Sequence, residues 1–163
     1  MTPTERRSAS RDRRSVPRGG RRTDDQNGSR FPRVLIADSY DGARLPCAKY
    51  LDRFNFDVDE ACDGDETVRK VAARQMHIVL LEAGLPDAPV PRIVDVLQSD
   101  PSARQVPLIV MTSELEAGTE GLDGIPLVAV LAKPFTLSSM LQEIRRLLRE
   151  QPPIPLELSV CPA

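Results

Sequence analysis

Four short apolar runs, each followed at once by a polar side chain, constrain the fold of this chain more than any other feature. The clearest run, residues 78–81, is an unbroken apolar block followed by Gly84 and Pro86. A block this short, followed by turn residues, is typical of a strand that is buried on both faces of a parallel sheet. The four runs and the polar residues that end them are residues 34–37 before Asp38, 78–81 before Glu82, 108–111 before Thr112, and 127–132 before Lys133.

The polar residues at the ends of these runs are expected to lie close together. In an open parallel sheet the carboxyl ends of the strands share one edge, and ligands bind there, where the strand order switches. The pattern therefore predicts one pocket at this edge, lined by four residues that are far apart in the sequence: Asp38, Glu82, Thr112 and Lys133.

Length and composition indicate a soluble protein with one domain. The chain has 163 residues, of which 40% are hydrophobic but only 4% aromatic, so aliphatic side chains must form the core. No apolar run approaches the ~20 residues of a membrane span, and the N-terminus has no apolar signal region, so we expect a cytoplasmic protein without a membrane partner. Cys47, Cys62 and Cys161 lack CxxC spacing and are expected to be thiols rather than disulfides or zinc ligands.

Three segments of the chain differ in composition. Residues 1–30 contain nine arginines, four acidic residues and almost no apolar side chain, so they are expected to be disordered with a net charge of +5. Residues 31–150 hold the alternating pattern and are the predicted domain, and residues 151–163 form a proline-rich tail. Since the whole chain has a net charge of −2, residues 31–163 carry −7. A solubilising tail that folds back on this acidic body is favoured over nucleic-acid binding.

Helical patterns alternate with the predicted strands. Residues 41–54 are predicted to form a helix, although Pro46 requires a late start or a kink. Its inward face contains Ala43, Cys47, Tyr50, Leu51 and Phe54. The second strand, residues 56–61, is polar, as an edge strand can be. Further helices are predicted from about residue 65 to residue 75 and after Pro91, the latter with Ile93 and Leu97 on its apolar face.

The segment from Glu114 to Pro126 interrupts the alternation. Three glycines and a proline fall where another helix is needed, and each glycine costs nearly ~1 kcal/mol relative to alanine. We therefore expect the fourth helix to be short, irregular or absent. After the fifth strand, Thr136 is a predicted N-cap, and Phe135 is expected to pack on Met140 in an amphipathic last helix.

The motifs VLIAD, IVLLEAGLP, PLIVMTS and AKPF occur in this order, and together they resemble the receiver domain of bacterial response regulators over about residues 32–150. The resemblance implies a doubly wound five-stranded parallel sheet of flavodoxin-like order 2-1-3-4-5 with helices on both faces. In that family an aspartate after the third strand accepts a phosphoryl group from a histidine kinase, and two acids after the first strand help to bind Mg²⁺. A threonine and a lysine contact the phosphoryl oxygens, and an aromatic residue on the fifth strand repacks on activation.

The chain matches this pattern only in part. The matching residues are Asp38, Thr112 and Lys133. Ser39 stands where the second acid is expected, Glu82 occupies the phosphoacceptor position, and Val130 occupies the switch-aromatic position. Asp38 is thus the one remaining acid of the pair that would hold a metal, and the Mg²⁺ site is expected to be weak or lost.

Glu82 carries its carboxylate one methylene farther from the backbone than an aspartate would. A misplacement of about an ångström costs ~10²-fold in the rate of an in-line attack, so phosphorylation is not expected. The longer side chain is instead expected to reach Lys133 and Thr112 and to imitate a phosphoryl group, with about −1 charge where a phosphate brings nearly −2.

The leading hypothesis is a stand-alone pseudo-receiver, a non-enzymatic signalling protein without a cofactor that binds a histidine kinase or a downstream protein. The first alternative is a working phosphorelay receiver that accepts phosphate atypically, at Glu82 or Ser39. A flavodoxin-like nucleotide-binding protein or small enzyme is less favoured, because the segment after the first strand, DSYDGAR, has a single glycine. His77 is expected to be exposed without a second metal ligand, and Asp41 to cap a helix rather than bind metal.

Overall fold

The computed structural model describes residues 31–101, 103–114, 122 and 128–150. Within these residues the elements are β1 (Arg33–Ala37), α1 (Asp41–Asp52), β2 (Asp57–Ala61), α2 (Gly64–Ala73), β3 (Ile78–Glu82), α3 (Val90–Ser99), β4 (Leu108–Thr112), β5 (Val128–Ala132) and α4 (Leu137–Glu150). The strands pair in parallel in the order β2-β1-β3-β4-β5. The predicted flavodoxin-like order is therefore confirmed.

The sheet carries a separate apolar layer on each face, because successive strand residues point to opposite sides. Leu35 and Val79 belong to the layer beneath α2 and α3, whereas Ile36 and Leu80 belong to the layer beneath α1 and α4. All four side chains are fully buried. Each such residue contributes roughly 1.5–3 kcal/mol relative to an exposed one. Helices on both faces of the sheet are confirmed, and their packing fixes the strand ends that form the pocket.

The first helix begins at the predicted residue but ends two residues earlier than predicted. It begins at Asp41, so the late start is wrong and Pro46 lies inside the helix. Phe54 lies beyond the end of α1 and is 39% exposed instead of facing inward. Its ring contacts Tyr50, with ring centroids 4.9 Å apart, and the Arg145 guanidinium lies 5.3 Å from its centroid. β2 is a half-exposed edge strand, as its polar sequence predicts.

The start of α4 follows the sequence signals. The Thr136 hydroxyl accepts a hydrogen bond from the Ser139 backbone N–H at 3.1 Å, which confirms the predicted cap. Phe135 packs against the apolar layer that contains the fully buried Met140. The same kind of cap begins α2, where the Asp63 carboxylate accepts the Glu66 N–H at 2.6 Å.

Several predictions concern residues that the structure does not describe. Residues 1–30, residues 151–163, Cys161 and most of the segment between Glu114 and Pro126 lie outside the described residues. The disordered tails and the irregular helix expected between Glu114 and Pro126 therefore remain predictions.

Cys47 is a buried free thiol and Cys62 an exposed one. Among the helices of the described part, none is long and apolar enough to cross a membrane.

His77 is half-buried, so the expectation of an exposed side chain is wrong. Its Nδ1 accepts a hydrogen bond from the Arg33 backbone N–H at 2.9 Å, and the His77 backbone N–H donates to the Arg33 carbonyl at 2.9 Å. Burial and the nearby Arg33 cation lower the pKa of His77 below 6.5, while Asp57 partly opposes them. The folded chain therefore favours the neutral imidazole, since a protonated Nδ1 cannot accept a hydrogen bond.

A pH dependence of stability follows from this contact. As the pH falls through the unfolded-state value of about 6.5, the unfolded chain gains a proton before the folded chain does, so the folded state loses stability. His77→Asn keeps an acceptor at the Nδ1 position but does not titrate. Because His77 is the only histidine, urea midpoints measured between about pH 8 and pH 5.5 should fall for the parent and stay nearly flat for His77→Asn. Parallel curves would contradict the role assigned to the imidazole.

Candidate functional site

Three of the four predicted pocket residues meet at the carboxyl edge of the sheet. The Lys133 Nζ lies 2.8 Å from the Asp38 Oδ2 and 2.9 Å from the Glu82 Oε1. Asp38 follows β1, Glu82 ends β3 and Lys133 follows β5. Because β1 pairs directly with β3, the two carboxylates lie side by side, and Lys133 reaches them across the end of β4. The predicted convergence of these three residues is confirmed.

The carboxylate oxygens of Asp38 and Glu82 that do not contact Lys133 accept hydrogen bonds from backbone and side-chain donors. The Glu82 Oε2 accepts the Ser39 N–H and the Ser39 hydroxyl, each at 3.0 Å. The Asp38 Oδ1 accepts the Tyr40 N–H at 2.9 Å. All four carboxylate oxygens of Asp38 and Glu82 therefore have a protein donor. We call Asp38, Ser39, Glu82 and Lys133 the clamp.

Burial and pairing together set the charges of the clamp. The side chain of Asp38 is 2% exposed, that of Glu82 20% and that of Lys133 24%. Burial alone would raise the pKa of Glu82, but the hydrogen bonds from Lys133 and Ser39 outweigh it and lower that pKa below its usual value. Burial opposes the charge on Lys133, and the bonds to Asp38 and Glu82 nevertheless raise its pKa. The Glu82–Lys133 pair is therefore ionised at neutral pH.

Thr112 lies in the same cleft but outside the clamp. Its hydroxyl donates to the Glu114 carbonyl and accepts the Glu114 N–H, both at 2.9 Å. The expected bond from Thr112 to Glu82 is therefore wrong, because in the described chain that hydroxyl closes a local turn instead. The cleft has a volume of ≈ 250 Å³, and its lining includes Glu82, Gly84, Thr112, Ser113 and Lys133.

Val130 lies in the middle of β5, where it pairs in register with Val110 of β4. It is half-buried. A valine has no ring to exchange between an inward and an outward position, so the position that matches the switch aromatic holds a compact β-branched side chain.

Arg44 of α1 is a site residue that the sequence patterns did not single out. Its side chain is 9% exposed and binds the Asp38 carbonyl, Glu60 and Asp41. Asp41 is thus an ion-pair partner of Arg44, and Tyr40 holds the N-cap position instead. The sequence signal that could have identified Arg44 is its position, because it lies on the inward stripe of the helix with Ala48 four residues later. A charged residue on such a stripe is rarely buried unless it is paired.

Asp87, in the loop after β3, was also missed. Its carboxylate accepts the backbone N–H groups of Gly64 at 2.7 Å and Asp65 at 3.1 Å, at the first turn of α2. These bonds from helix donors lower the pKa of Asp87. A side chain at Gly64 would collide with Ala88, since an added Cβ would lie 2.0 Å from the Ala88 Cβ. The loop that follows Glu82 is thus docked on α2.

Comparison with known proteins gives a consistent result at low identity. No family model matches the chain. The transcriptional regulatory protein SrrA of Staphylococcus aureus is 27% identical over 118 residues, which are 71% of this chain and 47% of SrrA. The DNA-binding dual master transcriptional regulator RpaA of Synechocystis is 26% identical over 127 residues, 77% of this chain and 52% of RpaA. The chain thus spans about half the length of these relatives.

Solved structures resemble the chain over almost their whole length. The chemotaxis response regulator CheY4 of Vibrio cholerae has a TM-score of 0.66 at 19% identity, over 72% of this chain and 98% of CheY4. The Mg²⁺-bound receiver domain of the Pseudomonas aeruginosa sensor histidine kinase PA1611 gives 0.64 at 18%, over 73% and 98%. The signal receiver domain of an HD domain-containing protein of Pseudomonas fluorescens gives 0.67 at 20%, over 75% and 98%. The described residues therefore have the fold of a CheY-like response regulator receiver domain.

Proposed function

We propose that this chain is a pseudo-receiver, a signalling module of the two-component type whose pocket is held in one state by the clamp and which acts by binding a protein partner. The observation that carries the proposal is the position of Lys133, whose ammonium group bridges Asp38 and Glu82 at 2.8 Å and 2.9 Å. The partner is a histidine kinase or a downstream signalling protein. SrrA and RpaA, to which the chain is similar, are described as transcriptional regulators.

The hydrogen bonds of Glu82 argue against phosphoryl transfer to its carboxylate. An attacking oxygen must present a lone pair in line with the incoming phosphorus. Here Lys133 holds one oxygen of Glu82, and Ser39 holds the other through two donors. These bonds fix the orientation of a carboxylate that lies one methylene farther out than that of an aspartate, and a misaligned nucleophile costs ~10²-fold in rate.

The donor set also argues against a resident Mg²⁺ ion. This ion is bound through carboxylates, phosphate oxygens and water, in near-ideal octahedral geometry. In the clamp, Lys133 stands between the two carboxylates, and Ser39 supplies hydrogen-bond donors where an acid would supply a ligand. The residues present do not fit the ion, so no step of the proposed function uses it.

Glu82 supplies part of what a phosphoryl group would bring to the pocket. It places about one negative charge against Lys133, where a phosphate would place nearly two. Together with a valine at position 130, this contact favours a single conformation of the edge formed by β4 and β5. In the pseudo-receiver the partner then reads that conformation constitutively, and signalling is controlled by the amount of either protein.

Intact mass spectrometry after incubation with Mg²⁺ and a small acyl phosphate tests the proposal. We expect the full chain to gain no phosphoryl mass, because Glu82 is engaged and Ser39 has replaced an acid. Ser39→Ala serves as a control for acceptance at the hydroxyl. A stoichiometric gain mapped to Glu82 would support the working receiver instead, and a gain that disappears in Ser39→Ala would support atypical acceptance at Ser39.

A further inference from the structure

Arg44 is the charged residue of α1 that is buried directly beside the clamp. Its Nη1 donates to the Asp38 carbonyl at 2.6 Å, its Nε donates to Glu60 at 3.1 Å, and its Nη2 pairs with Asp41. A guanidinium group is a rigid planar fork, so three bonds in different directions fix its position. The backbone of Asp38 is thus joined to an acid on the edge strand and to another at the start of α1.

The backbone of Asp38 is held on both sides at the point where the chain leaves the sheet. Its N–H donates to the Ala61 carbonyl of β2 at 3.1 Å, and its carbonyl accepts from Arg44. Its side chain accepts from Tyr40 and Lys133. The paired residues of β1 end at Ala37, and Arg44 donates to the carbonyl of Asp38, the next residue along the chain.

We infer that Arg44 is a positioning residue, which sets the Asp38 carboxylate against Lys133 and links the edge strand β2 to the clamp through Glu60. The inference deepens the proposed function, since it names the residue on which the locked state depends. In the described chain the hydrogen bonds of Arg44 go to Asp38, Asp41 and Glu60. Its effect on Lys133 therefore passes through the placement of Asp38.

A simpler role for Arg44 would be to tie α1 to β2 through Glu60, without an effect on the pocket. The two roles differ at Lys133, which lies after β5 and belongs to neither of the elements that Arg44 joins. If Arg44 only ties α1 to β2, then its loss leaves the Lys133 ammonium as firmly held as before. If Arg44 positions Asp38, its loss loosens one of the two carboxylates that hold Lys133.

NMR measurement of the exchange of the Lys133 Nζ protons with water, on the full chain, separates these roles. Arg44→Gln should make this exchange roughly tenfold faster, the change that loss of one hydrogen bond to a charged group allows. Arg33→Gln is the matched control, since it removes the 3.1 Å ion pair that joins Arg33 of β1 to Asp57 of β2 at the amino ends of these strands, away from the clamp. It should leave the exchange at Lys133 unchanged.

Two further variants complete the test. Arg44→Lys keeps the charge but not the planar fork. Its exchange rate at Lys133 should therefore lie between that of the parent and that of Arg44→Gln.

The Asp41 and Glu60 side chains, 63% and 37% exposed, can be solvated in the absence of Arg44, so Arg44→Gln should fold. If it does not, Glu60→Gln removes one anchor and should shift the exchange in the same direction by less. Unchanged exchange at Lys133 in the folded variant overturns the inference, and leaves the proposed function standing because no phosphoryl acceptance enters the measurement.

Discussion

Lys133→Met should unfold at a markedly lower denaturant concentration than the parent chain, with a loss of about 3 kcal/mol in the free energy of unfolding. The variant removes the cation that joins two strand ends and leaves the Asp38 carboxylate 2% exposed with its negative charge unpaired. Glu82, at 20% exposed, keeps its bonds from Ser39 and can be reached by water, so the loss stays below the upper end expected for a buried pair. Urea unfolding at neutral pH and low salt measures it.

The same experiment has a pH dependence of known sign. The folded-state pKa of Glu82 is lowered from 4.5, because the bonds from Lys133 and Ser39 outweigh the effect of burial. Its contribution to stability is therefore fully present above about 4.5 and is lost as the pH falls through the lower folded-state value. The difference between the parent and Lys133→Met should narrow over that range, since Glu82 becomes protonated and its pairing with Lys133 is lost.

Two variants serve as controls for the loss of Lys133. Lys49→Met removes an exposed cation from α1, and the free energy of unfolding should change by no more than about 0.5 kcal/mol. Adding Asp38→Asn to Lys133→Met removes the unpaired buried charge and should recover part of the loss. If Lys133→Met and Lys49→Met unfold at the same urea concentration, the contacts of Lys133 do not stabilise the folded state. The proposed locked pocket then loses its physical basis.

The arrangement of the strand ends could be predicted because it depends on pattern and topology alone. The apolar run of four residues before Glu82 is typical of a strand buried on both faces, and the parallel sheet then places Asp38 and Lys133 on the same edge. The length of the Glu82 side chain made contact with Lys133 foreseeable without knowledge of rotamers. The structure has that contact at 2.9 Å.

The errors concern side chains that have a choice of partners. The Thr112 hydroxyl could reach across the cleft or bind its own chain, and the Glu114 backbone, two residues away, is the closer partner. His77 is half-buried against the Arg33 backbone, and Arg44 is buried with a bond to the Glu60 carboxylate of the edge strand, so each has a partner on another element. Periodicity places such residues on a face, but it does not show which partners they find there.

Glu82→Asp combined with Ser39→Asp should give the chain a measurable affinity for Mg²⁺. The shorter side chain withdraws one carboxylate from Lys133, and the second change replaces a donor to Glu82 with a third carboxylate beside Asp38. Binding should be tighter than in the parent by roughly tenfold or more, since a carboxylate about 4 Å from a divalent ion gains ~2 kcal/mol even at the dielectric constant of water. A Mg²⁺ titration followed by amide chemical shifts at Asp38, Lys133 and the two substituted positions measures it.

The single variants show which change opens the site. Ser39→Asp alone places its carboxylate beside the long Glu82 side chain, which still contacts Lys133, so it should bind Mg²⁺ more weakly than the double variant. Glu82→Asp alone withdraws a carboxylate from Lys133 but leaves two carboxylates at the site. It should therefore also bind Mg²⁺ more weakly than the double variant. The gain in Mg²⁺ binding free energy of the double variant should therefore exceed the sum of the gains of the two single variants, as expected for groups that bind the same ion. If no saturable shift occurs even in the double variant, the strand ends do not form a common coordination site, and a lost metal site would not explain the pocket.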